Sequence, residues 1–385
     1  MERVNLKYGA NPNQGQASLS IEGGTLPLIV LNGRPGYINI LDGLLGWQLV
    51  SELQGATAMA GAASYKHASP AGAAVGLPLS EVERAMYFVP LSADLSEQAI
   101  AFVRARGADR LSSFGDFIAL SDECDESTAR MIAREVSDGV IAPSYSAEAL
   151  ALLKAKRQGT YVVLQIDSTY RPPALEQRTL FGMTLSQERN TVQLDRSVLA
   201  PIVTSRTDLP AEAELDLLVG LNALKYTQSN SVCFAKRGQV IGIGAGQQSR
   251  IHCTRLAAEK ADLWHLRQSD EVLNLQFAKG VSRNAKDNAI DQYIRGERAI
   301  DPSPFAQNPE LLSAVRREAL LSTVDGVSLA SDAFFPFRDN IDRARQSGVR
   351  YVVQCGGSVR DDEVIAACNE HQMVMICNNI RLFLH

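Results

Sequence analysis

Ala62-Ala63-Ser64-Tyr65-Lys66-His67-Ala68-Ser69-Pro70-Ala71-Gly72-Ala73 is the stretch on which the fold turns. Small residues run into an adjacent Lys-His pair, and a Pro-x-Gly segment follows. Neighbouring strand residues face opposite ways, so a straight strand would not aim both Lys66 and His67 at one ligand. Proline fixes φ and glycine tolerates φ > 0, so Ser69-Pro70-Ala71-Gly72 is expected to end the strand and bend the chain. Such a bend brings an ammonium donor and an imidazole to one place. Imidazole suits general-base work near neutral pH, and an ammonium suits stabilising developing negative charge. A surface lysine beside a packed histidine would explain the pair in isolation, so the surrounding sequence has to decide.

Working outward, apolar spacing predicts a helix from Ile38 to Leu53, with Ile40, Leu41, Leu44, Leu45 and Val50 on its buried face. A small-residue strand enters Lys66-His67, Ala71 to Gly76 is a second strand, and Ser80 caps a helix beginning Glu81-Val82-Glu83. Extended Phe114–Leu120, helix Glu126–Val136, strand Val140–Ala142, helix Glu148–Lys156 and strand Tyr161–Ile166 follow.

The second half repeats this order: helix Leu215–Tyr226, strands Ser231–Ala235 and Val240–Ala245, and helix Ser249–Lys260. An insertion over about 262–328, helical around Asp287–Arg295 and Pro309–Thr323, precedes strand Ala333–Phe335. Helix Asn340–Gln346, strand Tyr351–Val353, helix Asp361–His371 and strand Val374–Cys377 close the chain. The expectation is an α/β protein of two tandem α/β/α subdomains with mixed sheets, residues 1–185 and 186–385, joined through Pro172-Pro173 to Pro201. The helix-strand-strand-helix opening of each unit resembles the cytidine-deaminase-like fold.

Composition bounds the function. The net charge of -5 gives no global attraction for nucleic acid or an anionic membrane, so an anionic ligand needs a local cationic pocket. No apolar stretch reaches the length of a signal core or membrane span. Six scattered cysteines without a C-x-x-C pair fit reduced thiols in a cytoplasmic protein.

Other motifs keep two readings each. Gly242-Ile243-Gly244-Ala245-Gly246 leads into Arg250 with G-x-G-x-G spacing, a poor dinucleotide fingerprint; it is either a tight turn or a ligand contact through Arg250. Lys225-Tyr226-Thr227-Gln228-Ser229-Asn230-Ser231 is explained by helix capping or by polar recognition. Asp332-Ala333-Phe334-Phe335-Pro336-Phe337-Arg338-Asp339-Asn340 combines core aromatics with candidates for stacking on a flat heterocycle. A zinc deaminase of this fold needs an H-x-E or C-x-E element and a P-C-x-x-C element. His67 is followed by Ala68-Ser69 and Pro70 by Ala71, so neither zinc nor deamination is expected.

These segments together resemble one family, the formyltransferase portion of AICAR transformylase/IMP cyclohydrolase. The resemblance rests on Tyr8-Gly9 with Asn11-Pro12, Leu31-Asn32-Gly33, Ser64-x-Lys66-His67-x-Ser69-Pro70-Ala71-Gly72-Ala73, and Ser113-Phe114-Gly115-Asp116. It continues through Glu135-Val136-Ser137-Asp138-Gly139, the Lys225–Ser231 run, Gly242 through Arg255, Ser331 through Asn340, and Arg381-Leu382-Phe383.

The resemblance implies formyl transfer from 10-formyltetrahydrofolate, as co-substrate, to the 5-amino group of AICAR. It also implies a homodimer with shared active sites and a two-subdomain cytidine-deaminase-like fold. His67 looks like the general base and Lys66 the transition-state stabiliser. Lys7, Tyr8, Gly115, Asp138, Asn230, Arg250, Phe334 and Arg381 fall where the family contacts AICAR, and Ile251, Asp339, Ser358 and Val359 fall on the folate side. A potassium ion near Asp332 and the C-terminal residues also fits the family. Lys7 stands where the family commonly has arginine, exchanging a bidentate fork for a point charge, and Asn13 stands where histidine is usual. The chain begins where the transformylase portion would, so ring closure to IMP is expected to need a separate cyclohydrolase. A catalytically lapsed paralogue that binds AICAR or folate, and a transferase using another one-carbon donor, remain the alternatives.

Overall fold

The computed structural model describes residues 3–21, 23–296 and 301–385. Its strands are β1 (Leu28–Asn32), β2 (Gly61–Lys66), β3 (Ser69–Val75), β4 (Asp116–Leu120), β5 (Ser137–Ala142), β6 (Val162–Ile166), β7 (Val232–Lys236), β8 (Gln239–Gly244), β9 (Val327–Ser331), β10 (Val349–Gln354) and β11 (Val374–Cys377). They form one 11-stranded sheet in the order β11-β10-β9-β7-β8-β3-β2-β4-β5-β6-β1. The sheets of the two α/β units are therefore continuous, joined where Gln239 of β8 pairs antiparallel with Ala74 of β3.

From that seam each half runs outward alike. A hairpin partner comes first (β2 or β7), then an antiparallel neighbour (β4 or β9). Two parallel strands follow, β5 and β6 or β10 and β11. Because β3 and β8 are antiparallel and each begins just after its hairpin turn, the two turns lie at opposite ends of the strands.

The principal helices are α1 (Tyr37–Thr57), α2 (Glu97–Gly107), α3 (Glu126–Ala133), α4 (Ala147–Ala155), α5 (Ala211–Lys225), α6 (Arg250–Leu266), α7 (Arg283–Arg295), α8 (Asp339–Gln346) and α9 (Asp361–Glu370). Alternation along the strands divides the core: Ala62, Ile118 and Val232 pack towards α2 and α6, while Ala63, Ala119 and Cys233 pack towards α1 and α5. Helices α2 and α6 ride directly on their strands. A Cβ at Gly72 would lie 2.2 Å from the Ala105 carbonyl oxygen, and one at Gly244 would lie 2.0 Å from that of Cys253.

Several expectations change. Ser69–Gly72 is not a bend but the start of β3, with Pro70 opposite Tyr65 at a register shift. The strand expected at Ala333–Phe335 lies earlier, at Val327–Ser331, and Phe334 lies in the loop beyond it. Small, fully buried residues form that strand, whereas the aromatics that suggested it follow the strand's end. Helix α2, strand β1 and an exposed hairpin, Leu175–Leu180 with Met183–Glu188, were not expected. In the insertion, Asp287 of α7 meets Arg110 at 2.8 Å and Arg267 at 2.6 Å, all buried or nearly so; residues 297–300 of that insertion lie outside the described residues. Among the described residues no helix is long and apolar enough to cross a membrane.

Candidate active site

Pairing of β2 with β3 ends at Lys66 opposite Ser69, leaving His67-Ala68 as a two-residue turn. Both residues have positive φ, 56° and 58°, as a type I′ hairpin requires. Neither is glycine, so the left-handed backbone is strained and must be held by its surroundings. Asp42 of α1 supplies the hold: the Ala68 amide donates to its Oδ1 at 2.7 Å. The Asp42 carboxyl is buried, and burial pushes it up to about 6 against the opposing pull of the Ala68 amide and the His67 charge. Sequence reasoning missed Asp42, although a lone carboxylate inside the apolar run Ile38–Leu45 was a visible signal.

Lys66 is half-buried, and its Nζ donates to the Phe114 carbonyl at 2.5 Å. The accepting segment is fixed from the same strand, because Ser64 Oγ bonds Ser113 Oγ at 2.8 Å and Asp116 Oδ2 at 2.6 Å. Burial raises the Asp116 carboxyl, with the Arg106 guanidinium opposing. Gly115 takes a φ of 76° between Phe114 and Asp116, and its amide donates to the Val136 carbonyl at 2.9 Å. His67 itself is exposed at the tip.

The second half meets this edge. Tyr65 Oη donates to the Tyr226 carbonyl at 2.7 Å, and the Gln228 amide donates to Ser69 Oγ at 3.3 Å. The Lys225–Ser231 run is thereby seated beside the turn, which capping alone does not explain. Its hub is the fully buried Asp332. That carboxylate accepts Ser229 Oγ at 2.6 Å, the Ser231 amide and Oγ at 2.9 Å each, and the Arg250 guanidinium. Arg250 also donates to Ser331 Oγ at 2.9 Å and Asn230 Oδ1 at 2.8 Å. Beside the two readings left open for the glycine stretch, tight turn and ligand contact, the structure gives Arg250 a further part, a buried brace that orients Asn230.

The C-terminal tail is tied to the same hub. The Leu382 amide donates to the Asp332 carbonyl at 2.8 Å and the Ser229 amide to the Leu384 carbonyl at 3.0 Å. Arg381 stays exposed, its guanidinium 4.9 Å from the Phe383 ring centre. Phe335 is fully buried, while Phe334 is 39% exposed and free to present a face. Both Asp332 oxygens carry protein donors, one of them a cation, so this carboxylate fits a potassium ion poorly. No step below depends on one.

The other expected residues lie on further elements. Lys7 and Tyr8 are tied to the entry of α1, through the Lys7 amide to the Pro35 carbonyl at 2.8 Å and the Tyr37 amide to the Tyr8 carbonyl at 3.1 Å. Asp138 is the second residue of β5, pairs with Arg157 at 2.8 Å and acts electrostatically on Asp42. Ile251 follows Arg250 on α6 and is half-buried. Asp339 begins α8 and holds Asn340 Nδ2 at 2.9 Å. Ser358 occupies the loop after β10, its amide donating to Asp361 Oδ2 at 3.2 Å, with Val359 fully exposed beside it. The structure thus gathers Lys66, His67, Gly115, Asn230, Arg250 and Arg381 around one edge. Asp339, Ser358 and Val359 lie next to the Asp332 hub, where Thr254 of α6 donates to Asn340 Oδ1 at 2.7 Å and the Arg360 guanidinium stands 5.0 Å from the Phe337 ring centre, and Lys7 and Tyr8 stand at the entry of α1.

Residues 1–260 match the family model described as AICARFT/IMPCHase bienzyme. The chain is similar to the bifunctional purine biosynthesis protein PurH of Magnetococcus marinus and to that of Roseobacter denitrificans, each 32% identical over 388 residues covering 99% of this chain. It spans 59% of the length of these relatives.

Proposed function

We propose a function from one premise: this chain belongs to the AICARFT/IMPCHase bienzyme family. The reaction assigned to it is transfer of the formyl group of 10-formyltetrahydrofolate to the 5-amino group of AICAR, giving FAICAR and tetrahydrofolate. The observation that carries this reading is the His67-Ala68 turn, with an exposed imidazole beside an ammonium already aimed by the Phe114 carbonyl. The amine of AICAR is conjugated with its ring and carboxamide, so it is a weak nucleophile. His67 takes its proton as the C–N bond forms. Lys66 stabilises charge on the formyl oxygen and supplies a proton to the departing folate nitrogen. Aligning two bound substrates contributes the rest.

Tyr8, Gly115, Asp138, Asn230 and Phe334 are assigned to the nucleotide, with Lys7 and Arg381 as exposed cations for its phosphate. Arg250 acts there through Asn230, which it bonds. Ile251, Asp339, Ser358 and Val359 are assigned to the folate. A cytoplasmic homodimer in which one copy completes the other's site is proposed on the family resemblance.

The test is tetrahydrofolate release, followed by absorbance with both substrates, in wild type, His67→Ala and Lys66→Ala. General-base loss is expected to slow His67→Ala by about 1,000-fold. Equal, negligible rates in all three would instead indicate a binding protein.

A further inference from the structure

We propose that Asp42 is a positioning residue for His67: it anchors the left-handed His67-Ala68 turn from beneath and places a negative charge where the imidazole takes up a proton. This rests on His67 being the proton acceptor. The anchor is geometric, a buried carboxylate oxygen 2.7 Å from the Ala68 amide. A turn of two non-glycine residues at positive φ holds its shape only when its surroundings over-determine it, and here the amide of its second residue is bound by a charged acceptor.

The charged and titratable groups facing Asp42 are few. His67 faces it from the turn, Asp138 from β5 and Tyr65 from β2. Asp138 has its own partner, Arg157 at 2.8 Å. On α1 itself Glu52 is taken by Lys225 at 2.7 Å. Of these groups only His67 can bring a positive charge to Asp42.

The second half of the molecule contains a built-in control. Its hairpin turn is Arg237-Gly238, also with both φ positive, at 54° and 68°. Asp216 of α5 accepts the Gly238 amide at 2.5 Å from the equivalent place beneath the turn. A buried aspartate is thus how this fold holds such a turn, and only in the first half does an imidazole stand above it.

The experiment compares Asp42→Asn, Asp42→Ala and Asp216→Asn. Asparagine keeps an acceptor oxygen for the amide and removes the charge; alanine removes both. For Asp42→Asn we expect kcat at least about tenfold lower with KM for both substrates within about threefold. The wild-type kcat profile should carry a component that is lost as pH falls through about 6, where Asp42 protonates; Asp42→Asn, whose side chain is neutral at every pH, should lack that component and keep only the fall due to protonation of the general base. In Asp42→Ala the Ala68 amide should exchange with deuterium at least about tenfold faster than in wild type or Asp42→Asn. Asp216→Asn should keep kcat within about twofold. An Asp42→Asn variant with wild-type kcat and pH profile overturns the charge role, and an equally protected Ala68 amide in Asp42→Ala overturns the anchor. Should wild type transfer no formyl group, the functional reading fails and the exchange measurement alone upholds or overturns the anchor.

Discussion

The two hairpins at the centre of the sheet, β2–β3 and β7–β8, are built by one device and serve different ends. Each closes through two residues at positive φ, each rests on a buried aspartate from the helix below, and each has a glycine that lets a helix backbone ride on it. In the second, Gly238 is forced: a Cβ there would lie 2.8 Å from Val75 Cγ2. Its neighbour Arg237 folds back to Glu83 at 3.4 Å, and Glu83 is already paired with the buried Arg104 at 2.8 Å. That end is closed by ion pairs. In the first, the residue in glycine's place is Ala68, the residue before it is an exposed histidine, and the neighbouring strand ends offer Asn230 and Arg381. Duplicated backbone geometry does not distinguish a site from a scaffold; the side chains at the open end do.

The sharpest way to break this contrast is to exchange consequences between the two turns. His67→Ala should lower formyl transfer by about 1,000-fold, and Arg237→Ala, at the equivalent position, should leave it within about twofold. Comparable losses in both, measured as tetrahydrofolate release, would mean that the second turn also takes part in the chemistry.

The aspartates offer the next largest effect, on stability. Burial raises Asp42 from 3.8 to about 6 and Asp216 from 3.8 to about 7. A carboxyl whose folded value lies above its unfolded value keeps a proton that the unfolded chain has lost. Stability from each group is therefore greatest below about pH 4 and declines as pH rises through the folded value. At pH 8 each charged aspartate costs on the order of 3 kcal/mol. Asp216→Asn should accordingly raise the unfolding midpoint at pH 8, with the gain shrinking towards pH 4. Asp42→Asn should do likewise while losing activity, the signature of a charge retained for function. A midpoint that falls at pH 8 in either variant would show that the charge, not only the acceptor oxygen, holds that turn.

How much of this was legible in the sequence follows the same division. The repeated element order and the Lys66-His67 pair could be read because periodicity and residue type carry them. The location of the bend could not. Pro70 and Gly72 look like turn residues, yet Pro70 sits at a register shift and Gly72 makes room for α2, while an unremarkable His-Ala pair makes the turn. Arg250 could be read only as part of a tight turn or as a ligand contact, because nothing in linear sequence shows that Asp332, 82 residues on, claims it. Asp42 was visible as an oddity in an apolar run, but its partner is a backbone amide, and no pattern of side chains announces that.

The glycines sharpen the comparison at a smaller scale. Gly72→Ala and Gly244→Ala each drive a Cβ to within 2.2 Å or less of a helix carbonyl oxygen. A backbone atom cannot swing aside as a side-chain tip can, so each should cost about 1–3 kcal/mol. The unfolding midpoint reports both, and nearly equal losses are expected if α2 and α6 ride their strands equivalently. A loss confined to one would show that the repeat is not preserved in the packing of its helices.

The smallest effect belongs to the salt bridge that closes the second turn. Glu83 is only 1% exposed, so removing one of its cations would ordinarily be severe. Arg104, fully buried, keeps its bond to Glu83 at 2.8 Å, and the Ser80 amide adds another at 2.7 Å. Arg237 itself is 46% exposed, so water screens most of what it contributes. Arg237→Ala should therefore lower stability by less than about 1 kcal/mol, in contrast to Arg104→Ala, which strands a buried charge and should cost about 3 kcal/mol or more. If thermal melts rank the two variants the other way, the second turn is closed by its exposed arginine, and its difference from the open turn at His67 rests on a contact at the surface instead of one in the core.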